Sequence, residues 1–145
     1  MRVIVQEAGF DLGHEARAFA EEAAGAGAVV TFTGVVRGDG GMAAMEIEHY
    51  PGMTEKAIAG IAAQAVARWA LIDALVIHRH GRLAVGEAIM MVATAAPHRA
   101  DAFAAAEFLM DYLKSRAPFW KKEIGPDGAS WVAAKDADEA ALTRW

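Results

Sequence analysis

The stretch EAIMMVATAAPHRADAFAAAEFLMDYLKSRAPFWKKE, residues 87–123, predicts a strand, a long helix and a second strand in direct succession. Residues Glu87–Ala95 are rich in apolar side chains and predict the first strand. The helix, about His98–Ser115, begins after a proline and ends before Pro118, because a proline pushes the residue before it out of the helical region. The strand Phe119–Glu123 follows. This order of elements indicates a protein in which helices and strands are interleaved.

Strand and helix patterns also alternate on both sides of this stretch. Runs that are β-branched or alternately apolar predict strands, and apolar residues at helical spacing after a capping residue predict helices. The further strands are Val3–Val5, Ala28–Val36, Ala44–Tyr50, Asp73–His80 and Ser130–Val132; the further helices run from the caps Asp11 and Thr54 to about Ala24 and Trp69 and over Asp136–Trp145, and Gly81–Gly86 is expected to be a loop. We predict an α/β or α+β fold, a single domain over residues 1–145, with helices on one layer of sheet.

The composition excludes several classes of function. The chain has 145 residues, of which 55% are hydrophobic and 23% charged. Such a composition excludes a disordered protein. The net charge of -5 disfavours nucleic acid as a partner, because phosphate binding requires a basic excess. There is no cysteine, so disulfides, thiolate metal ligands and a cysteine nucleophile are excluded. Any sulfur in the chemistry must therefore arrive on another molecule.

The sequence shows no signal for export or membrane insertion. Acidic residues follow the first apolar residues, MRVIVQEAGFD, too early for a signal peptide. No run approaches the ~18 apolar residues that span a bilayer. The expected location is the cytoplasm, with no membrane partner.

Cations concentrate where the long helix ends and the next strand begins. Three of the five lysines, Lys114, Lys121 and Lys122, lie within nine residues, and Arg116 lies among them. A helix end and a strand joined by a proline turn can direct these charges toward one point, as an anion site requires. The alternative is that cations at the helix C-terminus only complement the helix dipole.

Two further cationic positions are candidates for anion binding. His98 and Arg99 lie at the predicted N-terminus of the long helix, where free backbone N–H groups favour an anion. Arg37 follows an apolar strand and begins the glycine-rich loop RGDGG, a place that suits phosphate or carboxylate. The alternatives are a solvated first helical turn and an ordinary surface arginine.

Histidines and glutamates on two predicted strands do not form a convincing metal site. His78 and His80 share a strand face, but no third ligand is near them in sequence. His49 lies on the face opposite Glu46 and Glu48. We therefore predict a structural or partner-facing role for these histidines, and no metal.

Five segments of the chain carry a family resemblance. They are GAVVTFTGVVR (Gly27–Arg37), EHYPGMTEKA (Glu48–Ala57), VIHRHGRLAVGE (Val76–Glu87), APHRADAF (Ala96–Phe103) and MDYLKSRAPFWKKE (Met110–Glu123). Together they strongly resemble the large, catalytic subunit of molybdopterin synthase, the MoaE family. The likeness covers nearly the whole chain, and the lysine-rich and EHYPGMTEK segments are its most specific parts.

The resemblance implies a fold, a reaction and a partner. The fold would be α+β, α/β hammerhead-like, with helices on a mixed or antiparallel sheet. The reaction would be a sulfur transfer to cyclic pyranopterin monophosphate, which forms the dithiolene of molybdopterin in molybdenum cofactor biosynthesis. The sulfur would arrive as a thiocarboxylate on the C-terminal Gly-Gly of a small ubiquitin-like subunit, and no cofactor is implied. The large subunit would be a homodimer carrying one small subunit at each end, a heterotetramer.

The resemblance also assigns residues. The family's catalytic lysines match Lys114 and Lys121. Its substrate-binding residues match Arg37, His98 and Arg99, with Lys122 and Glu123 adjacent, and the channel for the partner's tail is expected at Phe32, Met110 and Arg116. The second subunit of the dimer is the suggested source of His98 and Arg99. Many relatives carry a lysine where this chain has Val35, so no charge role is assigned there.

Some alternatives stay open at this point. Lys114 would serve either as the proton donor to the oxygen that leaves the substrate or only as a positive charge. The chain would alternatively be a scaffold that only binds a ubiquitin-like partner, but a scaffold has no need of the cation cluster. A different small-anion enzyme on the same fold is the other alternative, and co-purification of a small protein ending in Gly-Gly would discriminate against it.

Overall fold

Two four-stranded sheets and four helices make up the fold in a computed structural model that describes all residues, 1–145. The strands are β1 (Arg2–Gln6), β2 (Ala28–Val35), β3 (Ala44–His49), β4 (Asp73–Arg79), β5 (Gly81–Ala84), β6 (Ala88–Ala96), β7 (Phe119–Gly125) and β8 (Gly128–Trp131). The helices are α1 (Leu12–Glu22), α2 (Met53–Trp69), α3 (Arg99–Arg116) and α4 (Asp136–Ala141), and single 3-10 turns cover Asp39–Gly41 and Leu142–Arg144. None of the helices has the length and apolar character needed to cross a membrane.

The first sheet is mixed and is covered by helices on both faces. Its strand order is β1-β4-β6-β2, with β1 parallel to β4 and the other pairs antiparallel. Helix α1 packs on one face through Phe19, and α2 and α3 pack on the other around Val76 and Val92. A strand that is buried on both faces has no polar side to show, which explains the continuous apolar runs in β4 and β6.

The second sheet corrects the expectation of one layer of sheet. Its strand order is β5-β3-β7-β8, and every pair is antiparallel. The segment predicted as a loop contains β5, which pairs with β3 from Ala44↔Ala84 to Ile47↔Gly81. Four residues are too few to show an alternating pattern, so only the long-range pairing reveals this strand. The predicted α+β class with mixed and antiparallel strands is confirmed.

The beginning of α2 differs from the prediction. Thr54 does not cap the helix; the Gly52 N–H donates to the Glu55 carboxylate at 2.7 Å instead. Gly52 has a φ of 83°, a backbone conformation that favours glycine. Thr54 is fully buried. Its hydroxyl donates to the Pro118 carbonyl at 3.1 Å and accepts from the Tyr50 N–H at 2.9 Å. Thr54 therefore joins the start of α2 to the turn between α3 and β7.

Helix α3 leaves β6 through a proline turn and returns over the same sheet. The buried Thr94 hydroxyl donates to the Ala102 carbonyl at 2.8 Å and ties the first turns of the helix to β6. The Gly27 N–H donates to the Ala96 carbonyl at 3.0 Å. A Cβ at Gly27 would overlap the Pro97 carbonyl oxygen, so the chain at residue 27 presses directly on this turn. These contacts determine where α3 begins.

Candidate active site

The two predicted catalytic lysines lie on either side of the turn between α3 and β7. Lys114 is exposed in the last turn of α3, and Lys121 is half-buried in β7. Burial lowers the pKa of Lys121, and the positive charge of Lys114 is close enough to lower it further. The structure therefore places these two lysines close enough for their charges to interact, as the sequence predicts.

Strand alternation explains why Lys121 points inward. Lys121 pairs with Ile47 of β3, and paired residues of an antiparallel sheet share a face. Because Ile47 is fully buried, this face is the inner one. Asp138 of α4 offsets part of the lowering of the Lys121 pKa, and Lys135 adds to it. Lys121 therefore releases its proton at a lower pH than an ordinary lysine.

The two residues after Lys121 take opposite faces of β7. Lys122 lies on the outer face, where its Nζ is 4.5 Å from the centre of the Trp131 ring, a cation–π contact. Glu123 follows at the next inward position of the alternation and is exposed. Of the two predicted substrate-binding residues, the structure thus brings Glu123, and not Lys122, to the face that carries Lys121.

The residues predicted for the tail channel differ in their surroundings. Met110 packs against the main core one helical turn before Lys114. Phe32 lies on the edge strand β2 and is 42% exposed. Arg116 donates two hydrogen bonds to the Glu139 carboxylate, both at 2.7 Å. The guanidinium of Arg116 is therefore engaged by α4 of its own chain.

Arg37 lies at the lysine end of α3. Since α3 runs back along β6 and β2 is antiparallel to β6, α3 and β2 point in the same direction, and Arg37 directly follows the buried Val36 at the end of β2. Its side chain is 80% exposed and pairs with Asp39 at 2.6 Å. This surface pair leaves the guanidinium accessible to an incoming anion.

His98 and Arg99 lie at the opposite end of α3. His98 is the N-cap residue and Arg99 the first helical residue; both are exposed, and the His98 side chain makes no capping hydrogen bond. Lys114 follows Arg99 by fifteen residues, so the helical rise separates them by about 22 Å. Within one chain the structure does not bring His98 and Arg99 to the lysines. The predicted helix, about His98–Ser115, is long enough to imply this separation.

Two surface grooves border the lysine end. One of about 490 Å³ is lined by Arg116 and by residues of α4 and the turn that follows it. The other, of about 370 Å³, is lined by Glu123, by the loop around Asp39 and by the β7–β8 turn. Neither groove is lined by Lys114 or Lys121, so one chain does not enclose the lysines in either of them.

His49, His78 and His80 form two ring stacks next to β7. The sequence did not predict this arrangement. His78 is 5% exposed and stacks on the Phe119 ring at 3.7 Å, and its Nδ1 is 2.8 Å from the Arg79 carbonyl. Burial, as the largest cause, lowers the pKa of His78 to about 3. His80 stacks on His49 at 4.2 Å. The chain has no group of three or more potential metal ligands. His78 therefore supports β7 as a neutral aromatic ring.

Known proteins resemble this chain in sequence and in structure. The family model described as MoaE protein matches residues 5–116. A molybdopterin synthase catalytic subunit from Cereibacter sphaeroides is 73% identical over 146 residues, which span all of both chains. A molybdopterin biosynthesis MoaE protein from Burkholderia ambifaria superimposes with a TM-score of 0.84 at 53% identity, over 99% of this chain and 97% of that chain. A protein–protein complex of subunits 1 and 2 of molybdopterin-converting factor from Helicobacter pylori contains the same fold, with a TM-score of 0.78 at 19% identity over 92% and 90% of the two chains. The lysine pair, the fold and the full-length identity agree, and the chain belongs to the MoaE family.

Proposed function

We propose that this chain is the catalytic subunit of a molybdopterin synthase and transfers sulfur to cyclic pyranopterin monophosphate. The observation that carries the proposal is the pair formed by Lys114 and the half-buried Lys121, in an acidic protein without cysteine. The identity of 73% with a catalytic subunit of that name, over the full length of both chains, supports the same activity. The enzyme is a sulfurtransferase of molybdenum cofactor biosynthesis.

The proposed source of sulfur is a thiocarboxylate at the C-terminal Gly-Gly of a small ubiquitin-like subunit. A Gly-Gly tail offers only backbone groups and a terminal charge, so a narrow passage that ends at cations suits it. Phe32 and Met110 supply apolar contacts near such a passage, and Lys114 supplies a cation at its end. The complex of two subunits that contains this fold in Helicobacter pylori supports a partner subunit here.

The two lysines divide the proposed chemistry. The thiocarboxylate sulfur must bond to a side-chain carbon of the pterin while an oxygen takes up a proton and leaves. Water must then break the bond between this sulfur and the glycine carbonyl carbon, which leaves the sulfur on the pterin and returns the tail to a carboxylate. The exposed Lys114 pairs with the thiocarboxylate. Lys121 is suited to donate the proton, because the pKa of an acid catalyst works best near the operating pH and burial lowers the pKa of Lys121 toward it. The structure thus favours Lys121 over Lys114 as the proton donor.

The proposed working form is a homodimer with two small subunits, a heterotetramer. In it, His98 and Arg99 of one protomer complete the lysine end of the other, where Arg37 also binds the substrate phosphate. The separation of about 22 Å along α3 supports this arrangement, because a site at either end of one chain holds only part of the set. Lys122 and Glu123 remain proposed neighbours of the substrate, and the cytoplasm the proposed location.

A reconstituted reaction tests the function. The chain is mixed with the thiocarboxylated small subunit and cyclic pyranopterin monophosphate, and molybdopterin is measured by mass spectrometry. We expect molybdopterin with the intact partner. With a partner that lacks its last two glycines we expect no product but measurable binding, because we expect an apolar surface outside the channel to contribute most of the affinity. Binding without any product would favour the scaffold, and no binding at all would favour a different small-anion enzyme.

A further inference from the structure

Thr54 lies on neither of the elements that carry the lysines, yet it contacts the turn between them. Its hydroxyl donates to the Pro118 carbonyl at 3.1 Å and accepts from the Tyr50 N–H at 2.9 Å. The side chain is fully buried. Because a buried polar group without a partner is costly, this hydroxyl is a specific link between α2 and the α3–β7 turn.

That turn sets the separation of the two lysines. Six residues lie between Lys114 and Lys121, and the ring of Pro118 restricts the backbone among them. The turn is tight, since the Phe119 N–H donates to the Ala117 carbonyl at 2.9 Å. A shift of the Pro118 carbonyl therefore moves one lysine relative to the other.

The strand side of the turn has an anchor of its own. Phe119 stacks on the buried His78 ring at 3.7 Å and pairs in register with His49. The corresponding anchor on the helix side is the hydroxyl of Thr54 on the Pro118 carbonyl. With both anchors present, the end of α3 and the start of β7 have one relative position.

We infer that Thr54 is a positioning residue for sulfur transfer: its hydroxyl holds Pro118 and thereby sets the distance between Lys114 and Lys121. The inference rests on the proposed function, because it takes these two lysines as the reacting pair. Thr54 contributes no group to the substrate and acts only through the turn.

The experiment compares four proteins, each with its thiocarboxylated partner. Thr54→Val removes the hydroxyl and keeps the branched shape, and Thr54→Ser keeps the hydroxyl. Ile61→Val is the control, because Ile61 is buried in the same helix two turns after Thr54, and its substitution removes core packing without removing a hydroxyl from the turn. The measurements are kcat, KM for the pterin, affinity for the partner, melting temperature and the pH profile of kcat.

We expect Thr54→Val to lower kcat by about 10- to 100-fold, since misplacement of reacting groups by about 1 Å has effects of this size. KM and partner affinity should stay within about 3-fold, because the binding groups are untouched. The pH limb that reports Lys121 should move to higher pH, because a looser turn admits water and returns the pKa of Lys121 toward that of an ordinary lysine. Thr54→Ser should keep kcat within about 3-fold of the unaltered chain.

Ile61→Val should lower the melting temperature as Thr54→Val does, with kcat and the pH limb unchanged. Equal losses of kcat in the two valine variants, or an unmoved pH limb in Thr54→Val, would overturn the inference. If Thr54→Val does not fold, Thr54→Cys takes its place, and its weaker S–H donor should give a smaller change in the same direction. If the unaltered chain makes no molybdopterin, the proposed function fails; the Lys121 pKa, followed by NMR of labelled lysines, then decides whether Thr54 positions it.

Discussion

The two ends of α3 carry cations under opposite physical conditions. Lys114 and Arg116 lie at the C-terminal end, where the helix dipole favours positive charge, and β7, α4 and the Thr54 link lie beside this end of the helix. His98 and Arg99 lie at the N-terminal end, where the dipole opposes positive charge. Neither side chain there has a hydrogen-bond or ion-pair partner in the chain, and both are exposed.

The difference separates a site that one chain builds from a site that needs another molecule. At the lysine end the chain itself orients two of the cations: Glu139 binds Arg116, and the register of β7 places Lys121 on the inner face of its sheet. The N-terminal end has free backbone N–H groups and two cationic side chains, and it gains nothing from them without an anion. We therefore expect the N-terminal end to act on a substrate held at the lysine end of a second protomer.

The largest expected effect is the loss of either lysine. Lys121→Ala and Lys114→Ala should each lower kcat by at least about 100-fold, the usual scale for a positioned acid or base. Lys121→Arg should rescue little, because arginine keeps its proton at working pH. Partner affinity, measured in parallel, should change far less. If Lys121→Arg restores near-normal turnover, proton donation by Lys121 is wrong and the residue acts only as a charge; Lys114→Arg makes the same test at the other lysine.

A mixed dimer tests whether the two ends of α3 serve different protomers. Arg99→Ala and Lys114→Ala should each be inactive as homodimers. After exchange of subunits, half of the dimers are mixed, and each mixed dimer has one site with both residues intact. Turnover should then recover to about a quarter of that of the unaltered enzyme. If turnover does not recover although mass spectrometry verifies the exchange, the two ends of α3 in one chain serve the same site.

The stability of the fold should depend on pH through His78, which stacks on Phe119 at the start of β7. His78 has a pKa of about 3 in the folded chain and about 6.5 when unfolded, so between these values only the unfolded chain binds the proton. His78 therefore does not lower the free energy of unfolding above the unfolded pKa. As the pH drops from there toward the folded pKa, His78 lowers that free energy by at most about 1.4 kcal/mol per pH unit. Urea unfolding at several pH values should show this slope, and His78→Phe should flatten it. The exposed His14→Gln is the control and should leave the slope intact.

The smallest effect is expected at Arg116. Its pair with Glu139 is exposed, and exposed pairs contribute little to stability, so Arg116→Ala should barely change the melting temperature. The informative measurement is affinity for the small subunit, by calorimetry. A several-fold loss of affinity supports the tail channel at Arg116; unchanged affinity leaves Arg116 only as a link to α4.

Much of the fold follows from local pattern, and the parts that do not have physical reasons. The ends of α1, α2, α3 and the strands other than β5 lie within two residues of the predicted ones, because prolines, glycines and apolar periodicity punctuate them. Strand β5 can be recognised only from its pairing with β3. Threonine is a residue type typical of helix caps, but Thr54 makes a tertiary contact instead. At the site, the lysine pair was predictable from spacing, whereas the burial of Lys121 depends on the register with Ile47.

The close approach at Gly27 has a consequence for how relatives of this chain can vary. No side chain fits between the start of β2 and the Pro97 carbonyl, so any residue other than glycine displaces the turn that places His98 and Arg99. The lack of a side chain at position 27 thus sets how closely the start of α3 approaches the edge strand β2. A relative that carries a larger residue here should also carry an altered turn before α3, and substitutions at the two places should be found together rather than singly.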